Sequence, residues 1–258
     1  MDTAVFTNDD NVRITLINTH FSHLLKNRDN HEVLFRRINT FLIKNKIIKN
    51  NIIDLGAWIG DNTMPWAKNI DGVVYAIDPS PNNCNFINET CKLNNITNVK
   101  TIEYAITNKN EMLSTDNDLD HCSFVYGNPM LNGKTKVNAV SLDYLYNTKV
   151  IENVGYIHLD VEGMEYKVLE GSVELIEKCR PLITFEQHLE LDNYNIILSF
   201  LTKQHNYTVF LINEILPGCR PDCRNSIAFP NEIYNETLIK NIDNYIGKSI
   251  LERRIMPS

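Results

Sequence analysis

An eight-residue run near the first quarter of the chain combines carboxylates and glycines in an arrangement suited to holding a small molecule. The run is DLGAWIGD at 54–61, and it follows the β-branched stretch NII at 51–53. Such a stretch is typical of a buried strand. The glycines favour a tight turn, while Asp61 and Thr63 can cap a helix that Pro65 begins. The pattern predicts a strand, a glycine turn and a helix, as in nucleotide-binding α/β folds.

Two residues of this run indicate which cofactor it would accept. Dinucleotide-binding loops have a middle glycine that lets the backbone approach a pyrophosphate, and Trp58 holds that place here. Asp54 precedes the first glycine, where its charge repels a phosphate and attracts a cation. S-adenosylmethionine has no phosphate and carries an ammonium and a sulfonium group. We therefore interpret the run as the methionine-side site of that cofactor, with contacts from Asp54, Gly56, Ala57, Trp58, Gly60 and Asp61.

A further carboxylate, Asp78, follows the apolar run VVYAI at 73–77 and precedes Pro79 and Ser80. It lies 18 positions after Gly60, close to the roughly 20 expected for an acid that accepts hydrogen bonds from ribose hydroxyls. Asp54 or Asp78 alone could be an ordinary strand-end cap. Both acids in this order favour adenosine binding, with Asp78, Pro79 and Ser80 on the nucleoside side.

Acidic residues and a histidine are grouped again in IHLDVEGME at 157–165. In a strand, His158, Asp160 and Glu162 share one face, and parallel sheets bind ligands beyond the carboxyl ends of their strands. Glu162 and Glu165 are three positions apart at a predicted helix start, so they face one way. A helix dipole accounts for one such acid. The whole group predicts a reaction centre, in which Asp160, Glu162 and His158 are candidate catalytic residues and Glu165 is a candidate substrate contact.

Composition narrows the classes of function. The 258 residues are 43% apolar and 22% charged, as in ordinary globular proteins, and the net charge of −7 argues against a nucleic-acid partner. The acidic start does not resemble a signal peptide, and no apolar run is long enough to span a bilayer. We therefore expect a cytoplasmic protein without membrane contact, whose six cysteines are reduced. Cys219 and Cys223 have a spacing that zinc tolerates, but no second pair completes four ligands, so no metal site is predicted.

Strand and helix patterns alternate along most of the chain and predict an α/β protein with a mostly parallel sheet and helices on both faces. Residues 12–50 are predicted to be mainly helical, forming an N-terminal extension (1–50) to one domain (51–258). The predicted strands are 51–55, 73–77, 98–104, 155–160, 180–186, 207–212 and 225–230, the last antiparallel to its predecessor, with short strands at 122–126 and 135–139 in an insertion. The predicted helices are 62–69, 82–94, 163–178, 191–204 and 234–247, followed by a basic tail.

The chain resembles the FkbM family of S-adenosylmethionine-dependent methyltransferases over roughly residues 50–230. The resemblance rests on DLGAWIGD at 54–61, YAIDPSP at 75–81, LNNITNVKTIEYAI at 93–106, VSLDYL at 140–145, LDVEGMEYKVLEG at 159–171 and RPLITFE at 180–186. It implies the Rossmann-like class I methyltransferase fold with a seven-stranded sheet. It also implies that Ala105 contacts the cofactor and Glu186 the substrate. The family commonly has Lys where His158 stands and a small or polar residue where Trp58 stands.

These patterns predict an S-adenosylmethionine-dependent O-methyltransferase that acts on a hydroxyl of a sugar or glycan, since the family mostly methylates hydroxyls. Asp160, Glu162 or His158 would accept the hydroxyl proton; the carboxylates could instead hydrogen-bond the sugar or hold Mg²⁺. One alternative is a nicotinamide-dependent sugar oxidoreductase, which Asp54 and the missing middle glycine oppose. Another is an inactive glycan- or protein-binding domain, which the intact turn and acids oppose. The sequence does not indicate an oligomeric state.

Overall fold

In the computed structural model, the described residues are 3–7, 13–17, 31–115, 135–189, 194–217 and 219–255. In chain order, the strands are β1 (Thr3–Thr7), β2 (Arg13–Ile17), β3 (Asn51–Leu55), β4 (Val74–Ile77), β5 (Val99–Ile102), β6 (Ala105–Ile106), β7 (Glu111–Thr115), β8 (Thr135–Val140), β9 (Val154–Leu159), β10 (Leu182–His188), β11 (Tyr207–Ile212), β12 (Cys223–Pro230) and β13 (Leu251–Arg254). The helices are α1 (Val33–Lys44), α2 (Thr63–Asn69), α3 (Pro81–Leu93), α4 (Leu142–Asn147), α5 (Glu165–Glu170), α6 (Val173–Cys179), α7 (Tyr194–Ser199), which continues into a π-helical turn at Phe200–Gln204, and α8 (Glu236–Ile246).

The central sheet has the strand order β13-β11-β12-β10-β9-β3-β4-β5. Strands β10, β9, β3, β4 and β5 pair in parallel, whereas β12 is antiparallel to both β10 and β11. From β3 the chain first builds outward through β4 and β5, and it later returns to the other side of β3 to form β9 and β10. Such a reversal leaves a crevice at the carboxyl ends of the two central strands, where α/β sheets bind ligands. Asp54 and His158 are register partners there.

The predicted α/β fold is confirmed, with one strand more than the seven expected. The antiparallel pairing of β11 with β12 is also confirmed, and β12 lies between β10 and β11. The additional strand is β13, where a basic tail was expected. Leu251 pairs with Ile212 and is buried. The segment therefore joins the sheet because its apolar residue packs on the core, while basic residues beside it remain at the surface.

Two apolar layers cover the two faces of the sheet. On one face, α4, α5, α6 and α7 contribute Leu142, Val168, Leu175 and Ile197 to a single buried cluster. On the other face, α1, α2 and α8 contribute residues such as Phe35, Trp66 and Ile242. Burying one large apolar side chain of this kind stabilises the fold by about 1.5–3 kcal/mol. These layers hold the strand ends, and hence the crevice, in place.

The helical prediction for residues 12–50 is confirmed for α1 and wrong for residues 13–17. These residues form β2, which pairs antiparallel with β1. Ile14 and Leu16 are buried, and Thr15 exchanges two backbone hydrogen bonds with the side chain of Asn94, at 2.8 and 2.7 Å. In RITLI, apolar residues recur with a period of two, which is a strand pattern. Packing against α3 buries the apolar face of this strand.

The predicted helix 163–178 is divided into α5 and α6. The carboxylate of Asp143 accepts hydrogen bonds from the backbone N–H groups of Glu174 and Leu175, at 3.1 and 2.9 Å, and so caps a new helix start. A Cβ at Gly171 would lie 2.4 Å from the carbonyl oxygen of Thr107, so the break also admits a close approach of another segment.

In the insertion, β8 confirms the strand predicted at 135–139 and belongs to a small sheet with β6 and β7. The strand predicted at 122–126 lies outside the described residues. Within the described part of the chain, no helix has the length and apolar character that crossing a membrane requires.

Candidate active site

Three left-handed backbone conformations shape the turn that follows β3. Gly56, Trp58 and Gly60 have φ values of 73°, 45° and 79°, in a region that glycine enters at little cost. A Cβ at Gly56 would lie only 1.8 Å from the carbonyl oxygen of Asp160, the residue after β9. Glycine is therefore required at position 56, because two adjacent strand ends meet there with no room for a side chain.

Trp58 takes its left-handed conformation in spite of a large side chain, which is uncommon. Its backbone N–H donates to Asp78 Oδ2 at 2.9 Å. The other oxygen, Asp78 Oδ1, accepts from the backbone N–H of Ser80 at 2.8 Å and from the side-chain amide of Asn83 at 3.0 Å. The hydroxyl of Ser80 also caps α3 by accepting from the N–H of Asn83. These bonds hold the Asp78 carboxylate between the turn and α3, in the lining of the crevice.

Asp54 is a buried carboxyl group at the end of β3 that accepts a hydrogen bond from the Thr63 hydroxyl. The pKa of Asp54 is raised to about 7, chiefly by burial and also by the charges of Asp61, Glu32 and Asp78, while the Thr63 bond acts in the opposite direction. A carboxyl group whose pKa is raised by burial and by like charges is stabilised in its ionised form by a nearby cation. The electrostatics of the crevice therefore favour a positively charged ligand.

The helix α1 brings a positive charge to the same crevice. Arg36 Nη2 lies 3.3 Å from Asp61 Oδ2, and both side chains are buried. The start of α1 is fixed by Glu214, whose carboxylate oxygens accept from the N–H groups of Leu34 and Phe35 at 2.8 and 3.0 Å. The segment before β3, which the sequence suggested was an extension, therefore contacts Asp61, one of the residues that line the site.

His158 lies in the buried centre of the sheet and lines the crevice. Its Nδ1 is 3.0 Å from the hydroxyl oxygen of Thr184, and its ring packs against Phe35 and Trp66 with centroid distances of 5.0 and 5.5 Å. Burial lowers the pKa of His158 to about 4, although the charges of Glu32 and Asp61 oppose the effect. The imidazole is therefore neutral at physiological pH.

Asp160 and Glu162 follow β9 at the mouth of the crevice. Glu162 and Gly163 have φ values of 53° and 91°, and these consecutive left-handed residues turn the chain sharply before α5. Asp160 is half-buried and Glu162 is exposed, yet both line the same cavity as His158. The three candidate catalytic residues are thus brought together, although the strand itself ends at Leu159.

Glu165 stabilises this turn through hydrogen bonds. Its Oε1 accepts from the backbone N–H groups of Val161 and Gly163 at 3.1 and 3.3 Å, and its Oε2 accepts from the side-chain amide of Gln187 at 3.0 Å. The residue is buried and does not line the cavity. The structure therefore places Glu165 where it positions the loop that carries Glu162, rather than at the surface expected for a substrate contact.

A cavity of about 270 Å³ occupies the crevice. The predicted site residues that line it are Asp54, Gly56, Trp58, Asp61, Asp78, Pro79, Ala105, His158, Asp160 and Glu162. Ala57, Gly60 and Ser80 shape the turn and the helix start without lining the cavity, and Glu186 lies outside it beside two cysteines.

Several residues that complete the cavity wall were not predicted from the sequence, namely Leu55, Asn62, Ile77, Asn83, Tyr104, Ile106, Leu113, Val161 and Met164. Asn83 could have been found, because an asparagine one turn into a helix after a strand-end acid can reach back to that acid. Tyr104 and Ile106 flank the predicted contact Ala105. Leu113 comes from β7 in the insertion, and nothing in its local pattern indicates that β7 folds over the crevice.

The strand order, the glycine turn and the anionic crevice at the strand reversal define a Rossmann-like class I methyltransferase. The family model for the methyltransferase FkbM domain matches residues 54–209, well over half of the chain. The chain belongs to this family of methyltransferases, whose methyl donor is S-adenosylmethionine. Among curated proteins, none matches the sequence.

Solved structures with the same fold share little sequence with this chain. A methyltransferase FkbM from Methylobacillus flagellatus KT has a TM-score of 0.51 and 16% identity, over 69% of this chain and 43% of that one. An rRNA methylase from Streptococcus thermophilus has a TM-score of 0.48 and 11% identity, over 76% and 94%. A putative methyltransferase from Streptococcus mutans in complex with SAH has a TM-score of 0.45 and 14% identity, over 72% and 92%. The chain thus spans less than half the length of the Methylobacillus protein, whose similarity supports the fold.

Proposed function

We propose that this chain transfers the methyl group of S-adenosylmethionine to a hydroxyl oxygen, on a sugar or glycan. The observation that carries the proposal is the pair Asp160 and Glu162, which lie half-buried and exposed, respectively, in the wall of the cavity that Asp54 and Asp78 also line. Carboxylate oxygens accept hydrogen bonds from hydroxyl groups and can also accept the proton that a hydroxyl loses.

The residues of the inner cavity suit S-adenosylmethionine for an electrostatic reason that is independent of the family. Burial and the like charges around Asp54 raise its pKa, and a bound ammonium or sulfonium group would relieve the unfavourable energy of ionising it. Asp78 would hold the nucleoside, since hydrogen bonds to Trp58, Ser80 and Asn83 already orient its carboxylate at the cavity wall. When bound, S-adenosylmethionine supplies a methyl group activated by a positively charged sulfur.

Among the three candidate bases, the surroundings favour the carboxylates over the histidine. His158 is buried among aromatic rings, and its Nδ1 lies 3.0 Å from the Thr184 hydroxyl oxygen, which already fixes the ring. Glu162 is exposed at the cavity mouth, where an acceptor would enter. We therefore assign proton removal to Glu162, the orientation of acceptor hydroxyls to Asp160, and the positioning of the β9 end to His158.

The charge of the molecule supports an uncharged acceptor. A nucleic-acid substrate needs clustered Lys and Arg to neutralise its phosphates, whereas the chain carries a net charge of −7 and acids at the cavity mouth. A polyol has no phosphate and offers many hydroxyl donors to these acids. Nucleic acids and membranes are accordingly not expected among its partners.

A labelled-methyl transfer screen tests the acceptor class. The purified protein would be incubated with S-adenosylmethionine labelled in the methyl group and with panels of glycans, monosaccharides, small phenols, tRNA and rRNA fragments. We expect label in an alkali-stable methyl ether of a sugar. Label in RNA or in an amine, with none in the sugar panel, would overturn the assignment of the acceptor.

The role of Glu162 is tested by Glu162→Gln, with the exposed Glu177→Gln as a matched control. Removing a general base lowers turnover by roughly 10²–10⁴-fold, while the affinity for S-adenosylmethionine should stay the same because the inner cavity is untouched. Full turnover in Glu162→Gln would remove this residue from the mechanism. An equal loss in both variants would show that the effect is not specific to the site.

A further inference from the structure

A group of side chains of types that can ligate a metal ion lies beside the sheet, outside the cofactor cavity. Cys219 and Cys223 belong to the segment that leads into β12, and Glu186 lies near the end of the neighbouring strand β10. Cys223 Sγ is 2.8 Å and Cys219 Sγ is 3.9 Å from Glu186 Oε1, and the three ligand atoms all lie within 4.8 Å of one another. The fold thus supplies the two cysteines with a carboxylate ligand 33 residues or more away in sequence.

A histidine approaches the same group from the other end of the chain. His31 Nε2 is 3.4 Å from Cys219 Sγ, across 188 positions of sequence. Around a tetrahedral zinc ion, Zn–S bonds of about 2.3 Å and Zn–N or Zn–O bonds of about 2.0–2.1 Å place neighbouring ligand atoms roughly 3.5–3.8 Å apart. The distances from Cys219 to His31 and Glu186 are close to this spacing.

We propose that the group of Cys219, Cys223 and Glu186 binds one Zn²⁺ ion, and that His31, which contacts this group at Cys219, moves in as the fourth ligand. Thiolate and imidazole ligands select zinc over Mg²⁺ or Ca²⁺, which prefer oxygen. On binding, each cysteine releases its proton to solvent, and two thiolates with one carboxylate face the dication. Four protein ligands leave no open position, which is typical of a structural site. The proposal is independent of the methyl acceptor and of the proposed transfer to a hydroxyl.

The position of this site relates it to the cofactor cavity. Glu32, next to His31, accepts a hydrogen bond from the side chain of Asn225 in β12 at 2.7 Å. The helix α1 begins immediately afterwards and carries Phe35, which packs on His158, and Arg36, which pairs with Asp61. An ion held by His31 and the cysteines would therefore fasten the start of α1, the helix that contacts His158 and Asp61 of the cavity, to β10 and β12.

The first test measures the metal directly on the full-length protein. The chelator-treated protein is reconstituted with Zn²⁺, passed through a desalting column and analysed by plasma mass spectrometry. We expect one zinc per chain, and with Co²⁺ in place of Zn²⁺ a thiolate-to-cobalt charge-transfer absorption. Wild-type protein that retains no zinc and gives no such absorption would overturn the proposal.

Variants locate the ion. The double variant Cys219→Ser/Cys223→Ser should lose stoichiometric zinc, whereas Cys179→Ser, which changes a half-buried free cysteine elsewhere, should keep it. His31→Ala should weaken zinc binding by at least the roughly 10–100-fold loss seen when an outer partner of a ligand is removed. Equal zinc content in the double variant and in the control would refute the site.

Counting the reactive thiols of the wild-type protein tests the site without variants, which could misfold, and it also detects a disulfide. In wild-type protein, zinc should protect two thiols from a thiol reagent, and chelation should release both. If chelation changes nothing, or if the two cysteines are found joined to each other in freshly purified protein, the cluster is not a zinc site.

Discussion

Replacing Asp54 by asparagine should stabilise the free protein near pH 8 and weaken its binding of S-adenosylmethionine. The pKa of this carboxyl group is raised from 3.8 to about 7, chiefly by burial. Between these two values the unfolded chain is ionised at Asp54 and the folded chain is not, so the free energy of unfolding falls as the pH rises and stays low above pH 7. The difference, at about 1.36 kcal/mol per pKa unit, amounts to about 4 kcal/mol. Asparagine has nearly the same shape and no charge, so it removes this destabilisation.

The same substitution removes the charge that a cationic ligand would meet. A hydrogen bond to a charged group contributes about 1.5–3 kcal/mol, which corresponds to a roughly 10–100-fold loss of affinity for S-adenosylmethionine. In the wild-type protein, affinity should rise as the pH increases through about 7, because the ligand favours the ionised carboxylate; in Asp54→Asn this dependence should vanish. Unfolding by urea near pH 5 and near pH 8, with calorimetric titration of the cofactor near pH 8, measures both effects. The exposed Asp71→Asn is the control.

The reasoning about Asp54 would be refuted by either of two results. If Asp54→Asn is no more stable than the wild type near pH 8, then ionising this buried carboxyl group does not oppose folding. If its affinity for S-adenosylmethionine equals that of the wild type and of Asp71→Asn, then the anionic crevice does not recognise the positive charge of the donor.

Three further substitutions or measurements address the site. Gly56→Ala should lower the melting temperature and abolish cofactor binding, since its Cβ would lie 1.8 Å from a carbonyl oxygen of Asp160; unchanged melting would contradict the close approach. Glu165→Gln should lose about 1–3 kcal/mol of stability because two loop N–H groups lose a charged acceptor, with reduced turnover, and the exposed Glu170→Gln should do neither. The ring protons of His158 should not titrate in NMR spectra between about pH 8 and 5.5, because burial lowers the pKa of the imidazole to about 4. The unfolded chain protonates this imidazole more readily than the folded chain does. His158 should therefore lower the free energy of unfolding as the pH drops from 6.5 towards 4. A titration midpoint near 6.5 would show that the ring is solvated.

The parts of the fold that the sequence predicted well are those whose signals are local. Strands β3 and β11 begin and end at the predicted residues. The glycine turn and the acid after β4 could be placed because turn residues, caps and strand ends lie within about twenty positions of one another. The three candidate catalytic residues follow from one short segment, and the structure brings them to one cavity.

Contacts between distant segments could not be predicted in this way. Arg36 forms an ion pair with Asp61, and Phe35 packs on His158. The local sequence around Phe35 and Arg36 indicates only an amphipathic helix. The division of the predicted helix 163–178 depends on Asp143, which caps α6 from another helix. The family resemblance implied that Glu186 contacts the substrate. Its neighbours, Cys219 and Cys223, come to it only because β12 pairs with β10.

The position of β12 has a consequence for the order in which the protein can fold during synthesis. In the central sheet, β11 is flanked by β12 and β13, and both are translated after it. The segment that forms β11 therefore leaves the ribosome with no partner strand, and it waits until residue 230 has emerged before it can join the sheet. The cavity residues are all translated earlier, between Asp54 and Met164. A nascent chain therefore contains every residue that lines the cavity before β11, β12 and β13 can complete the central sheet.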